Sequence, residues 1–217
     1  MSMIVDEYWE KKLENVKMNF EANNFNAYVA EDEYDAEKIV MEQIIPRTLP
    51  KSMSWGGSLT FQTSGLYEKL KDVEGIEVLD TYDKSFPPEE IIERRRQSLL
   101  TDLYITGTNA IIETGKLVNL DMMGNRVAAI TFGPKNVVIL AGRNKIVADM
   151  DSAIKRIKKY SAPINTRRLE KKTPCAKTSE CSDCSSPERI CNTWTVNEKS
   201  FPEGRINVIL INRDLGF

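Results

Sequence analysis

The sequence contains no histidine. This absence excludes a histidine general base, a Ser-His-Asp triad and a histidine-ligated metal, so acid–base chemistry falls to carboxylates, lysine, tyrosine, cysteine or a bound cofactor. Apolar runs are short as well, and none approaches the ~18 residues that a membrane span requires. The chain opens with Met1-Ser2-Met3-Ile4 and turns acidic at Asp6, whereas a secretory signal opens basic and then becomes apolar. We therefore expect a cytoplasmic protein without a membrane span.

A surplus of charge of either sign is also missing. The sequence has 30 lysines and arginines against 32 acidic residues, which gives a net charge of −2. Such a balance provides no long-range field that would attract nucleic acid, so we predict no nucleic-acid partner. The chain has 217 residues, 41% of them hydrophobic, and is long enough to build one large domain around its own core.

Apolar residues near the N-terminus follow helical spacing, stepping by four, three and four positions through Trp9, Leu13, Val16 and Phe20. This pattern predicts one apolar face of a helix. We assign the helix to residues 1–25 and an α/β domain to residues 26–217. The apolar face suits either the protein's own core or a second copy in a homodimer, and the pattern leaves both open.

Short aliphatic and β-branched segments alternate with helical patterns through the rest of the chain. The predicted strands cover residues 27–30, 52–55, 76–79, 103–106, 137–140 and 206–211. The alternation predicts right-handed crossovers and an open, Rossmann-like, mostly parallel sheet with helices on both faces. Residues 109–118 predict a tight strand–turn–strand unit. A helix that begins at Asp149 or Asp151 is expected to end at Pro163.

All the cysteines lie in one polar segment near the C-terminus, residues 173–192. They follow the spacing C-x5-C-x2-C-x6-C: Cys175, Cys181, Cys184 and Cys191. Four thiolates on short loops match the ligand set of a zinc ion or of an iron–sulfur cluster, and a metal would supply ordering energy that this segment lacks. Two disulfides and four unliganded thiols are the alternatives, and the spacing does not separate zinc from iron–sulfur.

A glycine-rich turn follows the second predicted strand. Gly57, Ser58 and Thr60 place small and hydroxylated residues there, where the backbone can approach an anion. The simpler interpretation is a tight turn with a Ser/Thr cap. Further along, Glu113 lies in an apolar run, where burial would raise its pKa and suit it to act as a base or nucleophile. Alternation along the strand equally favours a solvent-facing Glu113 at a hairpin corner.

Three segments together resemble the lactate-utilisation (LUD) domain: Gly56-Gly57-Ser58 with Thr60, the run from Thr106 to Asn119, and Gly124-Asn125-Arg126. The cysteine segment resembles that of a bacterial subgroup of this family. The resemblance implies a fold shared with CoA transferases and sugar-phosphate isomerases, and a link to the oxidation of lactate to pyruvate beside iron–sulfur partner subunits. It marks a set of candidate ligand-binding residues with Glu113 as the candidate catalytic residue. The ligand-binding candidates are Gly57, Ser58, Thr60, Asn109, Thr114, Gly115 and Arg126.

Three functions remain open from the sequence. The first is a redox-associated accessory subunit in 2-hydroxy-acid utilisation that carries a four-cysteine metal or iron–sulfur site. The second is an enzyme that acts on a sugar phosphate or a CoA-linked molecule through Glu113, with a structural zinc at the cysteines. The third is a module that binds a small anionic ligand without turnover, with Arg126 as a candidate contact.

Overall fold

The structure is a computed structural model that describes residues 2–217. Within this range the strands are β1 (Asn26–Ala30), β2 (Ser52–Trp55), β3 (Glu77–Leu79), β4 (Leu103–Gly107), β5 (Ala110–Ile112), β6 (Lys116–Asp121), β7 (Asn136–Gly142), β8 (Ile146–Val147), β9 (Thr193–Asn197) and β10 (Ile206–Ile211). The helices are α1 (Ser2–Ala22), α2 (Glu33–Lys38), α3 (Ile45–Thr48), α4 (Leu59–Thr63), α5 (Leu66–Leu70), α6 (Pro88–Gln97), α7 (Asn125–Thr131), α8 (Met150–Arg156), α9 (Ala162–Arg168) and α10 (Pro174–Thr178). None of these helices is long and apolar enough to cross a membrane.

Six strands form one parallel sheet in the order β1-β10-β7-β4-β2-β3. Helices cover both faces, and for this reason the central strands β7 and β10 are nearly continuous runs of buried aliphatic residues. The predicted open, Rossmann-like α/β fold is confirmed. Because the strands are parallel, the carboxyl ends of β2, β4 and β7 meet at one edge, where ligands bind in folds of this kind.

A second, four-stranded sheet has the order β8-β5-β6-β9. Its central pair is the predicted strand–turn–strand, since β5 and β6 pair antiparallel across the turn at Gly115. Gly115 has a φ of 78°, and a β-carbon there would lie 2.5 Å from the carbonyl carbon of Asn19. The turn therefore needs glycine both for its backbone conformation and for its contact with α1.

Helix α1 packs on the protein's own core. Leu13, Val16 and Phe20 are buried in a cluster with residues of β7 and β10. The side chains of Asn19 and Asn23 donate hydrogen bonds to the backbone carbonyls of residues 113 and 114, at 2.8 and 2.9 Å. The apolar face that the sequence left open is thus used inside the chain.

The helix that begins after Asp149 does not end at Pro163. Asp149 caps α8 by accepting a hydrogen bond from the backbone N–H of Ser152 at 2.8 Å. A π-helical segment, Ile157–Ser161, then joins α8 to α9, and Pro163 lies in the first turn of α9. Proline has no N–H to donate to the preceding turn, and here that turn is π-helical rather than α-helical. The extension carries Asn165 and Arg168 back toward the sheet edge.

Candidate functional site

A cavity of about 410 Å³ opens at the carboxyl ends of β2 and β4. The turns after these two strands form one wall, α9 forms another, and the start of α7 a third. The residues that carry its chemistry are Gly57, Ser58, Tyr82, Arg95, Gly107, Thr108, Asn109, Asp121, Arg126, Lys145, Ser161, Asn165, Arg168 and Lys171. Its size is that of a small-metabolite site.

The glycine-rich turn after β2 lines this cavity and is held by hydrogen bonds. Ser58 caps α4 by accepting a hydrogen bond from the N–H of Phe61 at 3.2 Å. Tyr82 accepts one from the N–H of Ser58 at 3.1 Å, and its hydroxyl donates to the carbonyl of Gly56 at 2.6 Å. Burial raises the pKa of Tyr82 to about 12, so its hydroxyl stays protonated for this role. Ser58 thus acts chiefly as a cap, as the simpler interpretation of the sequence held.

Lys145 is the most unusual residue of the cavity. It lies just after β7 and is only 4% exposed. Its Nζ donates hydrogen bonds to Oγ1 of Thr60 at 2.9 Å and to the carbonyl of Thr108 at 3.0 Å. Throughout residues 2–217 no carboxylate forms an ion pair with it. Burial, reinforced by the positive charges of Arg156 and Arg126, lowers the pKa of Lys145 to about 7.

Arg126 is also buried, but its donors are already used. Its guanidinium donates to the carbonyl of Gly107 at 3.0 Å and to the side-chain oxygens of Asn119 and Asn109 at 2.6 and 2.8 Å. It also bonds the carbonyl of residue 120, and its Nε lies 3.5 Å from Oδ1 of Asp121. Arg126 therefore ties the end of β4 and the β4–β5 turn to β6 and adds positive charge, and its guanidinium has no free pair of donors for a ligand.

The charge around the cavity is strongly one-sided. Among the ionisable lysine, arginine and acidic side chains that line it, five are cationic and one is acidic. The cations are Arg95, Arg126, Lys145, Arg168 and Lys171, and the acid is Asp121. Of the five cations, only Arg126 has an ion-pair partner within the described chain. Oδ2 of Asp121 is buried without a hydrogen-bond partner there, so the cavity also holds one unsatisfied acceptor.

The structure brings together some of the predicted ligand-binding residues and separates others. Gly57, Ser58, Asn109 and Arg126 line the cavity, and Thr60 contacts it through Lys145.

Thr114 and Gly115 lie instead at the hairpin turn against α1, outside the cavity lining. Glu113 precedes them, is 38% exposed at its side chain, and pairs with Lys12 at 2.5 Å. The solvent-facing interpretation matches this position, and Glu113 does not line the cavity.

Lys145 and Arg95 were not among the ligand-binding candidates that the sequence offered. One feature of the sequence could have indicated Lys145. It follows the buried strand β7 by three residues, and a charged side chain at that position can reach the carboxyl edge of a parallel sheet. Residues 165–168, Asn-Thr-Arg-Arg, are a basic group that the sequence alone makes a weaker anion-binding candidate, and two of them, Asn165 and Arg168, line the cavity.

The four cysteines line a second, smaller cavity of about 20 Å³. All four thiols are free. The backbone N–H of Asp183 donates to Sγ of Cys181 at 3.4 Å, and the hydroxyl of Thr173 lies 3.3 Å from Sγ of Cys175. Burial raises the pKa of the Cys191 thiol. Ile190 lines both cavities, so the two lie on either side of one residue.

The donor set of the smaller cavity fits a thiolate-bound metal in chemistry. Four thiols and one N–H···S hydrogen bond suit an anionic thiolate centre, and the two nearby cations, Lys158 and Arg189, both pair with Asp183 of the same cavity. The four sulfurs are too far apart to share one metal ion as they stand. In the part of the chain that the structure describes, no three cysteine or acidic side chains form a group that could hold a metal ion. The sulfurs would have to converge by rotation or by movement of the segment.

Comparisons of the sequence and the fold with known proteins identify the family of this chain. The sequence profile of the LUD domain matches residues 13–211. A crystal structure of a DUF162 family protein from Deinococcus radiodurans has a similar fold, with a TM-score of 0.50 and 12% sequence identity over 93% of this chain and 97% of that one. Among curated proteins, none matches this sequence. The chain therefore belongs to the LUD domain family, which is associated with lactate utilisation.

Proposed function

We propose that this protein binds a small anionic metabolite, with a carboxylate or phosphate group, in the larger cavity and so serves lactate or related 2-hydroxy-acid utilisation. The observation that supports this most is the excess of five cationic side chains over one acidic side chain around that cavity. A buried cation without a counter-charge costs several kcal/mol. A bound anion would lower this electrostatic cost, because four of the five basic side chains have no ion-pair partner in the described part of the chain.

The matched pair Arg95 and Arg96 tests anion binding. Arg95 lines the cavity, whereas the neighbouring Arg96 is exposed and pairs with Glu93 at 3.2 Å. We expect R95A to weaken binding roughly 10-fold, because a hydrogen bond to a charged group contributes about 1.5–3 kcal/mol. R96A should bind as the wild type does. The measurement is isothermal titration calorimetry with lactate, pyruvate, inorganic phosphate, a sugar phosphate and coenzyme A.

Two results would count against an anion site. One is the absence of binding by all five compounds at millimolar concentration. The other is an equal loss in both variants, which would assign the effect to overall charge rather than to the cavity. The pattern among the ligands separates 2-hydroxy-acid chemistry from the alternative of a sugar-phosphate or CoA-linked substrate.

We further propose that the four cysteines bind zinc or an iron–sulfur cluster. The supporting observation is that all four line one cavity. With a cluster, the chain would be a redox-associated accessory subunit that works beside iron–sulfur partner subunits in a reducing cytoplasm. With zinc, the cysteines would be a structural clip for an enzyme or binding module.

Metal analysis and a UV–visible spectrum on protein purified without oxygen test this proposal. A broad absorbance near ~400 nm with about four irons per chain identifies a cluster, and a colourless protein with about one zinc identifies a clip. We expect C184S to lose most of the bound metal. The control S182A changes a residue of the same cavity that has no thiol and should keep the metal. Protein that contains neither metal would contradict the proposal.

A further inference from the structure

Building on the proposed anion site, we propose that Lys145 forms an imine with the carbonyl carbon of its ligand. The ligand class is then a small anion that carries a ketone or aldehyde group, either a 2-oxo carboxylate or a carbonyl-bearing phosphate. The anionic group would be held by the unpaired cations of the cavity, and the carbonyl by Lys145.

Hydrogen bonds fix the orientation of the Lys145 amine. The hydroxyl of Thr60 donates to the carbonyl of Leu215 at 3.4 Å, so its oxygen accepts from Nζ of Lys145 rather than donating to it. The carbonyl of Thr108 is the second acceptor. A neutral amine has two hydrogens and one lone pair. With both hydrogens directed at these acceptors, the lone pair remains for the cavity that Lys145 lines.

The surroundings of Lys145 favour the neutral amine, which is the nucleophilic form. No carboxylate in residues 2–217 pairs with Nζ, and two arginines, Arg126 and Arg156, disfavour its positive charge. Burial is the largest cause, and it brings the pKa of Lys145 to about 7. About half of the amine is then unprotonated near pH 7, whereas an exposed lysine is almost entirely protonated there.

The chemical step is balanced without an oxidant or metal. The nitrogen lone pair attacks the carbonyl carbon and forms a C–N bond, and a proton moves from nitrogen to the former carbonyl oxygen to give a carbinolamine. The hydroxyl then leaves as water with a second proton, and a C=N bond remains. Addition of water reverses the sequence and returns the free amine.

Reductive trapping on the wild-type protein tests the proposal. The full chain is incubated with pyruvate, or separately with dihydroxyacetone phosphate, then treated with sodium borohydride, digested and mapped by mass spectrometry. We expect a reduced adduct on Lys145 at least ~10-fold above that on any other lysine, because only a neutral amine reacts. Lys171 of the same cavity and the exposed Lys177 are the internal controls. The compound that labels identifies the carboxylate or the phosphate class.

Calorimetry on the same samples separates the two proposals. Binding of pyruvate or dihydroxyacetone phosphate without an adduct on Lys145 would overturn the imine and leave the anion site standing. An adduct spread evenly over the lysines would overturn it as well, and neither binding nor adduct would overturn both. Labelling of Lys145 that increases between pH 6 and pH 8 would support it. Because the mapping uses wild-type protein, the result does not depend on whether a K145M variant folds.

Discussion

Replacing Lys145 with methionine is expected to remove a pH dependence from the stability of this protein. Burial lowers the pKa of Lys145 from 10.5 to about 7 in the folded state. Below pH 7 the amine is protonated in both the folded and the unfolded chain. Between pH 7 and about 10.5 the unfolded chain holds a proton that the folded chain lacks, so each pH unit raises the free energy of unfolding by about 1.4 kcal/mol.

Over this window the wild type should therefore gain up to about 5 kcal/mol relative to K145M. The measurement is urea denaturation of both proteins at several pH values from 6.5 to 10.5, followed by comparison of the differences. K177M, at an exposed lysine of α10, is the matched control and should follow the wild type. Parallel curves for wild type and K145M would show that Lys145 titrates normally, which would remove the basis for a neutral amine in the cavity.

Replacing Arg126 with methionine should cause a large loss of stability. Arg126 is 7% exposed and donates to the carbonyl of Gly107 and to the side chains of Asn109 and Asn119. Its removal leaves these acceptors without their donor and leaves the carboxylate of Asp121 without its cation. Removing one partner of a buried ion pair typically costs about 3–5 kcal/mol, and we expect a loss of that size in the free energy of unfolding.

Two further variants test whether this loss comes from the buried contacts of Arg126. R95M changes a partly exposed arginine of the same cavity and should cost less than about 1 kcal/mol. The double variant R126M/D121N should recover part of the loss, because it also removes the uncompensated carboxylate. A loss below about 1 kcal/mol in R126M would mean that the hydrogen bonds of Arg126 do not hold the β4–β5 turn against β6 in solution. Thermal unfolding of R126K gives the same comparison if R126M does not fold.

Much of the fold could be predicted because it depends on local patterns. The alternation of aliphatic segments and helical periodicity indicated a parallel sheet, and the turn at Gly115 indicated the β5–β6 pair. The separate sheet that this pair forms with β8 and β9 could not be predicted, since β8 has only two residues and β9 is polar. Helix continuity through Pro163 also escaped prediction, because it depends on the π-helical segment before it.

The candidate site was predicted in part, because a sequence motif indicates which residues lie near a site but not which partners they bind. Gly57, Ser58, Asn109 and Arg126 could be chosen from local sequence, and all four line the cavity. Their roles could not be read in the same way, because Arg126 uses its donors on partners that the sequence does not reveal. Glu113 has an apolar sequence context, yet its side chain is partly exposed and pairs with Lys12 of α1, a residue distant in sequence.

By itself, the sequence determined the α/β class, the lack of histidine chemistry and the clustering of the four cysteines within 17 residues. Local composition and spacing are sufficient for such statements. Only the tertiary structure decided that Lys145 is buried without a carboxylate partner among residues 2–217, and that cations from α6, α7 and α9 surround the same space. The pKa of a lysine depends on desolvation and on charges that are distant in sequence, and these exist only once the sheet and helices have packed.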